Sequence, residues 1–134
     1  MKVSVLHESG PRFRAEYDGH IVTVDQPEEV GGTGKGMGPV PLFMASMGTC
    51  IGTFVHMFAA QRGIEHEGFR VDVEWEYAEN PKRVAKAIAK IEWPTKVPEK
   101  YRAAILKAAQ QCVIHSTLRQ TPELVVELSE GSGG

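Results

Sequence analysis

No sign of charge dominates this chain. Its 134 residues carry 15 Lys and Arg against 17 Asp and Glu, so it has no broad basic face of the kind that nucleic acid requires. Cysteine is scarce, with only Cys50 and Cys112. Nothing in the opening "MKVSVLHESG" has the apolar core or small-residue cleavage site of a secretory signal, so a cytoplasmic location is expected. In that reducing setting two distant cysteines read as thiols or a redox pair rather than a structural disulfide. At 14.7 kDa the chain has the size of one domain, expected over residues 1–130, with "GSGG" at 131–134 as a flexible tail.

Charge is also missing locally. From Val40 to Ala60 there is no Asp, Glu, Lys or Arg, and 21 residues are enough to cross a bilayer. Against a span stand Pro41, Ser46, Thr49, Thr53 and His56, spread along its length, and the lack of flanking Trp or Tyr. The better expectation is a helix surrounded by protein on nearly all sides, because a helix apolar all round is a buried one. Pro39 and Pro41 suit its first turn, where a missing N–H costs nothing. Arg62 suits its negative end, and Gly63 its C-cap. Gly48 and Gly52 lie one turn apart beside Cys50, which predicts close approach of a second helix, possible also from a second subunit.

The rest reads mostly as strand. "KVSVL", "RFRAEY" and "HIVTVD" are β-prone runs, the last two joined by the hairpin signal Asp18-Gly19. "FRVDVEWEY" alternates Phe69, Val71, Val73, Trp75 and Tyr77 with Arg70, Asp72, Glu74 and Glu76, the pattern of a half-buried antiparallel strand. "RVAKAIAKIEW" fits a helical stripe too, but after the turn "ENPK" it reads as the hairpin partner. "PEKYRAAILKAAQQC" is expected as a helix with Tyr101, Ile105, Leu106 and Ala109 on one face. A shorter helix "VIHSTLRQ" and a final strand "ELVVEL" follow. The glycine-rich "GGTGKGMG" lacks both the P-loop and the GxGxxG spacing, and is expected as a mobile loop over the amino end of the long helix.

A buried cysteine is most often an inert small hydrophobe. Here two of them fall on two helices that must share one small core. The combination "GGTGKGMGPVPLFMASMGTC" with "AAQQCVIHSTL" about sixty residues later resembles the OsmC/Ohr family of osmotically inducible and organic-hydroperoxide-resistance proteins. The likeness runs over nearly the whole chain and is strongest toward the OsmC-like branch, in which the second cysteine precedes a His and a Thr-Leu pair, here His115, Thr117 and Leu118.

The resemblance implies an α+β fold, with strongly curved antiparallel sheets around two long central helices, in an intertwined homodimer with its sites at the subunit interface. It implies a thiol peroxidase without cofactor, in which Cys50 attacks an organic hydroperoxide and Cys112 resolves the sulfenic acid as a disulfide for a dithiol reductant. An arginine from the N-terminal strands would activate Cys50, with Arg12 the better match and Arg14 the second. The glutamate that holds this arginine in the family has no counterpart, since Val40 and Pro41 stand in its place. His115 would either lower the pKa of Cys112 or serve as a polar cap.

Two other classes compete. Cys50, Cys112, His115 and His56 could form a metal site, although Cys-x-x-His is only half of a zinc set. Alternatively, the dimer could bind an apolar ligand beside Met37, Phe43, Met44 and Met47, leaving the thiols incidental. As a peroxidase, the chain would present Phe43, Met44, Met47 and Phe54 to the tail of its substrate. Neither nucleic acid nor a membrane is expected as a partner.

Overall fold

Asp18 and Gly19 both adopt positive φ, 48° and 78°, as the tight hairpin turn requires. They join β2 (Arg12–Tyr17) to β3 (His20–Val24), and β1 (Ser4–Ser9) completes an antiparallel sheet in the order β1-β2-β3. The computed structural model describes residues 1–131, so the expected tail lies, from Ser132 on, outside the described residues. A 3-10 turn (Glu28–Val30) and the glycine loop lead into α1 (Pro39–Gln61). Then come a second antiparallel pair, β4 (Arg70–Ala78) and β5 (Arg83–Glu92), and the helices α2 (Arg102–Ala109) and α3 (Val113–Arg119). The class is α+β, as expected.

The core is built around one face of α1. Met44, Met47, Ile51, Val55 and Ala59 recur at helical spacing and meet Ile105, Ala109 and Cys112. Val71, Val73 and Trp75 of β4 and Val84 and Ile91 of β5 cover that cluster. Residues of β1–β3 take no part in it.

Several expectations are corrected. Within one chain α1 is not wrapped on nearly all sides, because Phe43, Thr49, Thr53, His56 and Met57 are exposed. Gly48 and Gly52 admit a strand, not a second helix. A Cβ on Gly48 would lie 3.3 Å from Val73 Cγ2, and one on Gly52 3.8 Å from the Phe69 ring. Only α1 is long. Glu99–Tyr101 winds as a 3-10 turn, and α2 stops because Cys112 turns to φ −54°, ψ 130° to begin α3. Residues 121–131 form no strand. Leu124 is 84% and Val126 98% exposed, for a strand gains its hydrogen bonds only from a neighbour.

The glycine loop is anchored rather than free. Asp25, fully buried, accepts backbone N–H bonds from Gln26 (2.7 Å), Thr33 (3.2 Å) and Lys35 (3.1 Å), and a further one from the Thr33 hydroxyl. The loop fits only because Gly32 has no side chain: a Cβ there would fall 1.9 Å from the Gln26 carbonyl oxygen. The Thr33 hydroxyl, with burial opposing and those amides assisting, holds the Asp25 carboxyl down at about 2, from 3.8.

Two outcomes follow from this clamp. Gly32→Ala should destabilise the fold by more than about 1 kcal/mol, measured by urea denaturation. Asp25→Asn should lower stability at pH 7. The folded-state pKa is the depressed one, so this contribution is complete above about pH 4 and lost as pH falls toward 2. The gap between variant and wild type should therefore close over that range.

Candidate functional site

Cys50 lies near the middle of α1, half-buried, while Cys112 is 0% exposed. Both are free thiols. Cys112 ends one helical segment and begins the next: its sulfur accepts the His115 N–H at 3.3 Å and so caps α3. Cys50 packs against the core cluster that contains Cys112, and the start of α3 at Val113 and Ile114 lies beside it.

The two sulfurs are driven in opposite directions. Burial raises the Cys50 thiol, but the hydrogen bonds from Cys112, Ile114 and Val113 together outweigh it, and its pKa is lowered. Burial raises Cys112 most, and proximity to Cys50 raises it further. Cys50 is therefore the more acidic thiol of the two, with backbone donors at the amino end of α3 assisting it.

The sequence reading expected a cation in this role. Within one chain neither arginine supplies it. Arg12 pairs with Glu8 at 3.3 Å and reaches the Thr33 hydroxyl at 3.5 Å; Arg14 pairs with Glu16 at 2.8 Å and Glu8 at 3.7 Å. The amide donors were missed, since only the fold shows that α3 begins against Cys50. "QQCVIHS" held the available signal, a cysteine at a helix start. His115 acts on Cys112 through its backbone N–H, which favours a lower pKa, but burial and the neighbouring Cys50 outweigh it and the net shift is upward. The metal grouping does not form. His56 instead lies 2.9 Å from His66, and no three His, Cys, Asp or Glu side chains converge among the described residues.

Two grooves flank α1, both reaching Thr49 beside Cys50 in sequence, and neither is lined by a cysteine. One, of about 670 Å³, separates the N-terminal sheet from α1 and is lined by Val5, Phe13, Val24, Leu42, Phe43 and Thr49 among others. The other, of about 520 Å³, runs between α1 and β4 past Met37, Met44, Gly48, Gly52 and Trp75. Of the side chains expected to meet a substrate tail, Phe43 and Met44 line these grooves. Met47 belongs to the core, and Phe54 lines neither groove.

Residues 32–127 match the model of the OsmC-like protein family, and the chain belongs to that family. No curated protein matches. Solved structures with the same fold include a protein of Psychrobacter arcticus named for osmotic stress and detoxification response, at 20% identity and TM-score 0.80 over 87% of each chain. An OsmC-like protein of Mycoplasma pneumoniae shares 17% identity at TM-score 0.71, over 90% of this chain and 87% of its own. An organic hydroperoxide resistance protein OsmC of Legionella pneumophila shares 20% at TM-score 0.62, over 89% and 90%. At such identities these likenesses speak for the fold.

The opposed shifts predict unequal thiols. Iodoacetamide should alkylate Cys50 in the folded protein, with a pH midpoint below the ordinary 9.0, and leave Cys112 untouched. Cys112→Ala removes one donor and should move the Cys50 midpoint upward. An unmoved midpoint would show that Cys112 contributes nothing to it.

Proposed function

We propose that this protein is a thiol peroxidase acting on organic hydroperoxides. The observation that carries the reading is that two free thiols, one half-buried and one fully buried, share one core cluster, and the opposed directions of their pKa shifts agree with it. The Cys50 thiolate attacks the distal peroxide oxygen. The O–O bond breaks, the alkoxide leaves with a proton as the alcohol, and Cys50 becomes a sulfenic acid. The Cys112 sulfur, losing its proton, then displaces hydroxide from that sulfenic acid, and water and a disulfide result. A dithiol reductant returns the two electrons. The position of Cys112 within reach of Cys50 supports the second step, and the relatives named for hydroperoxide resistance support the substrate class.

The working form in this reading is an intertwined homodimer, in which Arg12, or failing it Arg14, approaches Cys50 of the partner. Its support is surface left unfilled by a single chain. Leu6, Phe13, Tyr17 and Ile21 of the N-terminal sheet are exposed, as are Phe43 and Met57 of α1 and the apolar Leu124–Leu128 segment. Apolar surface of this extent marks an interaction site. The absent glutamate weakens any account based on arginine alone, and the α3 amides offer an activation that needs none. A second reading, a dimer that binds an apolar ligand without turnover, draws on the almost wholly apolar groove at Phe13 and Phe43.

Cys50→Ser should abolish hydroperoxide consumption, whereas a binding protein would retain its ligand in that variant. Cumene hydroperoxide should be consumed at least about a hundredfold faster than hydrogen peroxide. Burial of four methylenes contributes about 3 kcal/mol, which is ample for that ratio. Equal rates would remove the apolar groove from the account. Sedimentation should give a dimer at micromolar concentration, and truncation after Gln120 should weaken it; a stable folded monomer of the full chain would refute the assembly.

A further inference from the structure

His56, in the last turns of α1, and His66, in the loop leading to β4, take no part in the thiol chemistry. Their rings meet edge to edge, with His56 Nδ1 2.9 Å from His66 Nε2. His66 Nδ1 lies 2.7 Å from the Ile64 carbonyl, so Nδ1 carries the hydrogen and Nε2 presents a lone pair toward His56. The ring is braced by Phe69 at 6.1 Å and Trp93 at 6.4 Å between centroids, and Trp93 is itself held by its indole N–H donating to the Glu65 carbonyl at 3.0 Å. His56 is exposed, so solvent reaches its side of the pair.

We infer that this pair is a binding site for a divalent transition metal of the nickel or copper type. A histidine whose far nitrogen donates to a backbone carbonyl has its tautomer and ring orientation fixed, as metal-bound histidines do. A metal about 2.0–2.1 Å from each nitrogen sees atoms 2.9 Å apart at an angle of about 90°, the tetragonal arrangement of Ni(II) and Cu(II) rather than tetrahedral zinc. Entry of the metal requires the His56 hydrogen to move from Nδ1 to Nε2 and the exposed His56 ring to swing so that both lone pairs converge on the ion. Since no third His, Cys, Asp or Glu joins the pair among the described residues, water fills the other positions. The site is therefore open and exchangeable. Bound metal would tie the carboxyl end of α1 to the entry of β4.

The test is a titration of the wild-type chain with Ni(II) in a non-coordinating buffer near pH 7.5, followed by imidazole NMR and calorimetry. Paramagnetic nickel should broaden the His56 and His66 signals before those of His7, His20 and His115, with one ion per chain. His66→Gln and His56→Gln should each weaken binding at least tenfold and leave peroxide consumption unchanged. A Cys50→Ser/Cys112→Ser chain should bind as the wild type does, which separates this site from the thiols. Broadening of other histidines first, binding unaltered in both histidine variants, or loss of the site with the cysteines would each overturn the inference.

Discussion

One sulfur atom fixes the arrangement of the site. Cys112 Sγ accepts the His115 N–H and so sets where α3 starts, and it does so in the same core cluster against which Cys50 packs. Because α3 starts there, the amides of Val113 and Ile114 also face Cys50. A helix cap and an activated thiol thus arise from the same few atoms. Moving Cys112 by a fraction of a turn would uncap α3 and disperse the donors together.

The rest of the chain serves this contact unevenly. The stripe Met44, Met47, Ile51, Val55 and Ala59 holds α1 against α2 and the β4–β5 hairpin, and that grip keeps Cys50 and Cys112 within reach of each other. Residues before α1 stand apart from the core, and the Asp25 clamp, where Asp25 N–H also donates to the Met37 carbonyl at 3.3 Å, holds their loop together just ahead of α1. A chain that leaves an apolar sheet face, half a long helix and an unpaired Leu-Val-Val segment in water has more interface than one copy can cover.

Most of the local structure was legible in the residues. Asp18-Gly19, the strict alternation from Phe69 to Tyr77, Pro39 and Gly63 each act through backbone sterics or a period that neighbours do not alter. The turn "ENPK" correctly settled "RVAKAIAKIEW" as a strand. What the sequence hid depends on distant contacts. Gly48 and Gly52 show that something approaches closely but not that it is Val73 and Phe69. Asp25 looks like an ordinary strand-end acid until the loop closes over it. "ELVVEL" has a strand's composition, yet one chain offers it no ladder. The amides beside Cys50 leave no mark in the sequence, because backbone N–H groups are common to every residue and matter only where a helix begins.

The central claim is that Cys50 and Cys112 act as one redox unit within a single chain. Intact-mass analysis after one equivalent of cumene hydroperoxide, with peptide mapping, tests it most directly. The account predicts loss of two hydrogens per chain and one linked peptide joining Cys50 to Cys112, reversed by dithiol. An unchanged mass, with both thiols alkylated only after denaturation, would show that the cysteines are inert components of the core.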